Sequence, residues 1–292
     1  MKGKILWMAA AMAIAISCGG DNQLKSTLYS DGLQYGEGSV VYGSTLLISN
    51  FGIDELNPLN SEGKGYIAQF DGDQIKPFIV ADGNLSAPKG MAIKDDFLYV
   101  ADVSKVVIYN LQERDAAPKI VKMPFGNQFV NDIAISGDTA YISVTNSGRI
   151  FALDISSPNE ISAKSLKSYA RVVGANGLLI DGNTMYVASC PADGVTTQAN
   201  VIYKIEDLAA PVVTKLMERP GQYDGLAKSG EKLYFTNWVA GELGYVDLHS
   251  GEVVVESLSG DVALSGPADM SLFNGALYIP DLPTSRLVKV AL

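Results

Sequence analysis

The sequence predicts an all-β protein, a six-bladed β-propeller closed by an N-terminal strand. Six times, at intervals of 42 to 52 residues, a short polar or glycine turn opens an apolar strand, and a second strand begins nine positions later. A repeat of this length with several strands in each unit is typical of propellers, in which one repeat forms one blade. No segment of ten or more residues keeps a helical period, so each repeat is expected to consist of strands and turns.

The six openings differ in sequence, although the strands around them are alike. They are Glu37-Gly38, Lys89-Gly90, Asn131-Asp132, Asn176-Gly177, Asp224-Gly225 and Ala268-Asp269. The returning strands are residues 46–50, 98–102, 140–144, 185–189, 233–237 and 277–281. Because the innermost strands of a propeller line one central channel, the six openings are expected to form a ring at one mouth of that channel.

The first residues predict an exported lipoprotein. Lys2 and Lys4 precede an apolar run at 5–16 that is too short to span a bilayer, which makes residues 1–17 a signal peptide. Cys18 follows as the predicted site of lipidation. An ordinary secretory signal cut nearby is the alternative interpretation.

This interpretation places the mature protein on a bacterial membrane, either the outer membrane or the cell surface. Residues 18–26 would be a polar tether, and residues 27–292 would be the propeller, in the periplasm or outside the cell. The lipid anchor would be the only membrane contact. We expect the protein to be a monomer.

Ring closure is predicted from the last repeat, which ends at its third strand, residues 285–292. A fourth strand for that blade must then come from the N-terminal segment 26–34. Such a closure removes the open sheet edge that an unclosed ring would leave.

Two long connections and the ends of the second strands are expected at the mouth that holds the ring. The connections are residues 50–64 and 190–199, and loops of this length in a tight fold are often functional. Asp102 ends a second strand and is a candidate for substrate binding. Trp238 is a second candidate, because it would either stack on a ligand or cover the rim.

Composition excludes several function classes. The chain carries 32 acidic and 22 basic residues, a net charge of −10, which argues against binding to nucleic acid or to anionic lipid. His249 is the only histidine and is predicted in an outer turn, so a Ser–His–Asp or Cys–His site has no base. With Cys18 lipidated, Cys190 is the only remaining thiol; we expect it to be a small buried residue.

Four members of the ring carry side-chain oxygens, which suggests a cation site. Carboxylates and carboxamides form an all-oxygen shell that suits Ca²⁺ or Mg²⁺ and fits Zn²⁺ poorly. Lys89 enters the same ring and would reduce its charge from −2 to −1. The alternative is a ring of hydrogen-bonded polar side chains that closes the channel around ordered water.

The openings also resemble those of the gluconolactonase and senescence-marker-protein family of six-bladed propellers, here as a divergent bacterial lipoprotein. The resemblance covers all six repeats, about 255 residues, through short motifs in the same blades and order. The matching segments are 35–41, 129–132, 175–178 and 223–226. Phe129 departs from the family, which has a substrate-binding arginine there.

The resemblance implies one divalent cation in the channel, Ca²⁺ or alternatively Mg²⁺, and hydrolysis of a lactone or a related ester. Its ligands would be Glu37, Asn176 and Asp224. Asp224 would also be the catalytic proton acceptor. Asn131 would lie near the metal or the substrate, and Lys89 would contact the substrate.

A second function of a different class stays open. The same face could belong to a lipid-anchored, non-catalytic module that binds a ligand, a glycan or a protein partner. The ring chemistry separates the two hypotheses, because hydrolysis needs the Asp224 carboxylate, whereas ligand capture would depend on the two long loops.

Overall fold

A computed structural model describes residues 23–260 and 262–292. The predicted signal peptide, Cys18 and most of the predicted tether lie outside the described residues. The first twelve strands are β1 (Ser26–Tyr29), β2 (Gly36–Tyr42), β3 (Thr45–Asn50), β4 (Tyr66–Phe70), β5 (Ile75–Ile79), β6 (Pro88–Lys94), β7 (Phe97–Asp102), β8 (Lys105–Asn110), β9 (Lys119–Lys122), β10 (Val130–Ser136), β11 (Thr139–Val144) and β12 (Arg149–Asp154).

The second half of the chain continues the same pattern. The strands are β13 (Leu166–Arg171), β14 (Ala175–Asp181), β15 (Thr184–Ser189), β16 (Tyr203–Ile205), β17 (Thr214–Lys215), β18 (Tyr223–Ser229), β19 (Lys232–Asn237), β20 (Glu242–Asp247), β21 (Val253–Val255), β22 (Ser271–Phe273), β23 (Ala276–Asp281) and β24 (Arg286–Ala291). Short 3-10 helices span Pro158–Glu160, Ala163–Ser165 and Leu282–Thr284. These helices, the only ones in the described part of the chain, fall well short of what crossing a bilayer requires.

The strands form six four-stranded antiparallel sheets, which confirms the predicted propeller. Blades 1 to 5 each use four consecutive strands, beginning at β2, β6, β10, β14 and β18. The innermost strands contact one another in a closed cycle, with β2 next to β22. Apolar clusters fill the spaces between neighbouring blades, so burial of both faces of every sheet stabilises the ring.

The N-terminal strand closes blade 6 as the sequence predicts. Strand β1 pairs antiparallel with β24, in a register that runs from Ser26 opposite Val290 to Tyr29 opposite Leu287. The Ser26 hydroxyl also donates a hydrogen bond of 2.6 Å to the Ser259 carbonyl in the connection from blade 5. The last sheet edge is therefore paired, and the ends of the propeller are joined by backbone hydrogen bonds.

A β-bulge at the start of the innermost strand explains how the opening residues point into the channel. In blades 1 to 5 the register between the first and second strands shifts across the two opening residues, as between Gly36 and Ser39. A bulge re-aims a side chain away from the regular alternation of the strand. Glycine follows in four blades because the strands are so close: a Cβ at Gly177 would lie 2.0 Å from the Asp224 carbonyl oxygen.

Candidate functional site

A cavity of about 200 Å³ lies at one mouth of the channel, surrounded by the starts of the innermost strands. Its polar lining residues are Glu37, Lys89, Asn131, Thr145, Asn176, Cys190, Gln222 and Asp224. Its apolar lining includes Phe51, Leu56, Pro58, Phe129, Pro191, Trp238 and Leu282. The structure thus brings five of the six predicted ring members to one space. The sixth, Ala268, is buried in an apolar cluster with Phe51.

Three of the lining residues each present a buried oxygen that has no hydrogen-bond partner. These atoms are Glu37 Oε2, Asn176 Oδ1 and Asp224 Oδ1, and they belong to the three residues predicted as cation ligands. Buried polar atoms in proteins are nearly always paired, so three unpaired oxygens in one cavity call for a bound donor group, an ordered water or a cation. The donor set therefore fits a hard divalent cation. Among the described residues, no group of three or more His, Cys, Asp or Glu side chains could hold a metal, so the fit depends on the Asn176 carboxamide.

The two carboxylates of the cavity repel each other in a dry environment. Burial raises the pKa of Asp224 to about 7; Asp132 adds to the rise, while the Lys89 ammonium and the Asn176 amide oppose it. Burial, and then the charge of Asp224, raises the pKa of Glu37 well above its usual value. The cavity thus disfavours two bare carboxylates, and a nearby positive charge opposes that effect.

Lys89 is held by backbone and aromatic groups rather than by an ion pair. Its Nζ donates hydrogen bonds to the carbonyls of Pro58 (2.9 Å) and Ala87 (2.8 Å). The same atom lies 5.4 Å and 5.1 Å from the ring centroids of Phe51 and Phe129. Burial lowers the pKa of this ammonium, and the nearby carboxylates oppose that change. The cavity therefore contains a fixed cation on the side of blade 2.

A second layer of carboxylates lies below the ring, formed by Asp132 and Asp269. Asp132 Oδ2 accepts a hydrogen bond of 2.6 Å from the Leu178 amide, and this contact joins blade 3 to blade 4. Burial raises the pKa of Asp132 to about 7 and that of Asp269 well above its usual value. Neither aspartate is among the predicted site residues, although the sequence carries a signal for them: the second opening position is aspartate in two blades and glycine in four.

The two long connections do reach the cavity. Leu56 and Pro58 come from the loop after β3, and Pro191 and Gly194 come from the loop after β15. Trp238 lines the cavity and packs against the apolar cluster of Phe51, so its contact with a ligand stays a prediction.

Cys190 differs from the expectation of a buried apolar residue. It is only partly buried, and it lines the cavity close to Asn176 and Asp224. Burial, together with the negative charge of Asp224, raises the pKa of its thiol well above the ordinary value. The thiol is therefore neutral and weakly nucleophilic. His249 is exposed in the turn after β20, as predicted.

Asp102 does not line the cavity, and this corrects its assignment as a substrate-binding residue. The carboxylate is fully buried, and its Oδ1 accepts hydrogen bonds from the amides of Ser86 and Ala87. Side chains at the equivalent strand ends bind the backbone in the same way: they are Asn50, Asn237 and Asp281. These four residues fix the connection that precedes each innermost strand, so they position the ring without belonging to it.

Comparisons with known proteins support the fold and do not identify a family. No protein-family profile matches the sequence, and no curated protein matches it significantly. Virginiamycin B lyase from Staphylococcus aureus is similar in structure, with a TM-score of 0.61 and 12% identity over 92% of this chain and 100% of the lyase. A protein of unknown function from Bacteroides thetaiotaomicron gives a TM-score of 0.61 and 13% identity, over 94% of this chain and 72% of that chain.

A chain of a nidogen/laminin complex is also similar. It has a TM-score of 0.59 and 15% identity, over 78% of this chain and 95% of that one. At these identities the likeness concerns the propeller fold alone.

Proposed function

We propose that the protein is a divalent-cation-dependent hydrolase of lactones or related esters that acts at the channel mouth. The observation that carries the proposal is the set of three unpaired buried oxygens, on Glu37, Asn176 and Asp224, in one cavity. Each buried oxygen left without a partner costs about 1–3 kcal/mol. A bound cation would offset that cost for all three atoms.

Glu37, Asn176 and Asp224 would hold the cation, with Ca²⁺ as the first choice and Mg²⁺ as the alternative, because every donor is a hard oxygen. When bound, a divalent cation polarises a carbonyl group and lowers the pKa of a coordinated water. The gluconolactonase-like order of the ring residues supports the same assignment.

The remaining roles belong to side chains of the cavity. The Asp224 carboxylate would accept a proton from the attacking water, as a general base. The Asn131 side chain, which lines the cavity, would bind a substrate oxygen. Lys89 would attract electron-rich parts of the substrate, and Phe129 and Trp238 would pack against its apolar atoms and exclude water.

The first test is a calorimetric titration of Ca²⁺ into the purified, chelator-stripped protein and into its Asp224→Ala variant. We expect a site of micromolar or tighter affinity that the substitution abolishes, followed by loss of hydrolysis on a panel of small lactones and aryl esters. Asp207→Ala is the matched control, since Asp207 is an exposed turn residue with the same charge. Absence of both heat and thermal stabilisation in millimolar Ca²⁺ or Mg²⁺ would overturn the proposal.

The lyase neighbour does not suggest histidine-based chemistry for this chain. A form of that lyase in which a histidine is replaced by alanine is described as catalytically inactive. Here the only histidine, His249, lies exposed on an outer turn. Hydrolysis with a carboxylate base therefore agrees better with the residues in the cavity than a reaction that depends on histidine.

A second candidate function, capture of a protein partner or other ligand without turnover, is favoured by the surface around the mouth. Among the described residues, Leu56 is an exposed apolar side chain that lines the cavity, and Val173 and Val195 are exposed apolar side chains of the adjoining space. Phe125, on the loop between β9 and β10, is fully exposed as well. Exposed apolar surface often marks an interaction site. This function predicts that Asp224→Ala leaves capture of the partner intact, whereas Phe125→Ser weakens it.

A further inference from the structure

We propose that a groove between blades 3 and 4 is a second part of the binding site and that it recognises an anionic group on the substrate. The inference rests on the proposed hydrolase function for the identity of the reacting group, and it extends that function by naming the substrate class. That class is an elongated lactone or ester with a carboxylate or similar anion at the end remote from the reacting carbonyl.

The groove adjoins the central cavity directly. Its volume is about 490 Å³, and Thr145, Pro191 and Ala192 line both spaces. The central cavity alone, at about 200 Å³, is smaller than the roughly 300–1,000 Å³ of ordinary ligand sites, whereas the two spaces together fall within that range. A ligand of ordinary size that enters the cavity would therefore extend past Pro191 into the groove.

The groove carries a guanidinium group that has no carboxylate partner. Arg171 lines it, and the Arg171 side chain makes only a long contact of 3.5 Å with the Ser147 carbonyl. Within residues 23–260 and 262–292, no ion pair involves Arg171. Asp193, the acidic residue of the groove, instead accepts a hydrogen bond from the Val195 amide of its own loop.

A second arginine stands directly opposite. Arg149 at the start of β12 pairs in register with Arg171 at the end of β13, and the described residues include no ion-pair partner for it either. Like charges opposite each other on neighbouring strands destabilise a sheet. Arg171 lines the groove and Arg149 stands beside it, so the two arginines together place positive charge where an anion in the groove would bind.

The rest of the groove agrees with a ligand that has both polar and apolar parts. Ser147 belongs to the lining, and its buried Oγ has no hydrogen-bond partner, so a rotation of this side chain toward the groove would bring its hydroxyl to a ligand oxygen. Val173 and Val195 provide exposed apolar surface on either side. The groove thus offers contacts for a short alkyl linker that ends at Arg171.

The test compares two aryl esters that differ only at the remote end, 4-nitrophenyl pentanoate and the 4-nitrophenyl monoester of glutarate. The full-length protein should show a higher kcat/KM for the glutarate ester. The ratio of the two values should fall by about tenfold in the Arg149→Gln/Arg171→Gln double variant, as expected for a lost charge-assisted hydrogen bond. Lys164→Gln removes one charge from an exposed site at the opposite end of blade 3 and should leave the ratio unchanged.

Two results would overturn the proposal: a ratio that survives in the double variant, and a wild-type protein without preference for the glutarate ester. If the wild type hydrolyses neither ester, the proposed hydrolase function is called into question while the groove is still tested. In that case an NMR titration with glutarate tests directly whether the groove binds an anion. Binding that is lost in the double variant supports the groove, and binding that is absent or unchanged refutes it.

Discussion

Replacement of Asp102 distinguishes a scaffold role from a role in substrate binding. Its Oδ1 accepts hydrogen bonds from the amides of Ser86 (3.1 Å) and Ala87 (2.7 Å), and its Oδ2 lies 3.3 Å from Lys105 Nζ. Alanine would leave two buried amides without an acceptor, and each such group costs about 1–3 kcal/mol. We therefore expect Asp102→Ala to lower the free energy of unfolding by roughly 2–5 kcal/mol.

Asp102→Asn is the matched control, because asparagine keeps the acceptor oxygen. Asn50 and Asn237 occupy the equivalent positions of blades 1 and 5, where their Oδ1 atoms accept hydrogen bonds from backbone amides. The asparagine variant would lose the ion pair between the buried carboxylate and the partly exposed Lys105. We expect it to be destabilised, but less than the alanine variant, because both backbone amides keep their acceptor.

Urea unfolding of the three proteins, followed by circular dichroism, gives the free energies to be compared. Ca²⁺ affinity and hydrolysis by the asparagine variant should match the wild type, because Asp102 lies outside the cavity. Equal destabilisation by alanine and asparagine, or an alanine variant as stable as the wild type, would refute the reasoning. Loss of hydrolysis in a stable asparagine variant would restore Asp102 to the substrate site.

Two further predictions concern the charges of the channel. Lys89→Met removes an ammonium whose positive charge lies near the carboxylates of Glu37 and Asp224 and would repel a cation bound to them. Calorimetry should therefore show Ca²⁺ affinity raised by about tenfold or more. Unchanged affinity would contradict a cation site at these carboxylates. Because the folded-state pKa values of Asp132 and Asp224 are raised to about 7, the stability they contribute is complete below about pH 4 and is lost as the pH rises to about 7. Urea unfolding at several pH values should show this loss of stability, and added Ca²⁺ should reduce it. If the free energy of unfolding without Ca²⁺ instead rises between about pH 4 and about pH 7, the raised pKa values of the two aspartates are contradicted.

The propeller and its closure could be predicted because both depend on local sequence patterns. The repeat predicts the six blades, and the pairing of β1 with β24 in blade 6 agrees with the closure predicted from the repeat. The ring was predictable for the same reason, since each opening stands at one point of the repeat, where the bulge turns its side chain into the channel.

The parts that could not be predicted depend on contacts between blades. Position in the repeat places Asp102 at the cavity face, but only the fold shows that the carboxylate turns back to the amides of Ser86 and Ala87. The Lys89 ammonium likewise meets a carbonyl from the long loop of blade 1 and a phenyl ring from the start of blade 3. No spacing within one repeat encodes such contacts, because their members lie in different repeats.

The contrast between the strand ends and the ring argues that the ring residues are kept for a ligand. At four strand ends the protein buries an Asn or Asp side chain and pairs its Oδ1 with a backbone amide, as at Asp281, whose Oδ1 accepts hydrogen bonds from Ser265 and Gly266. The Oδ2 of Asp102 has no hydrogen-bond partner but lies 3.3 Å from the Lys105 ammonium. The same fold therefore has the means to pair buried oxygens close to the channel mouth. Glu37, Asn176 and Asp224 are nevertheless left with an unpaired oxygen each, all facing one cavity. Ordered water, a donor group of a ligand or a cation could each pair these atoms. A divalent cation is the partner we propose, because all three unpaired atoms are hard oxygens that face one cavity.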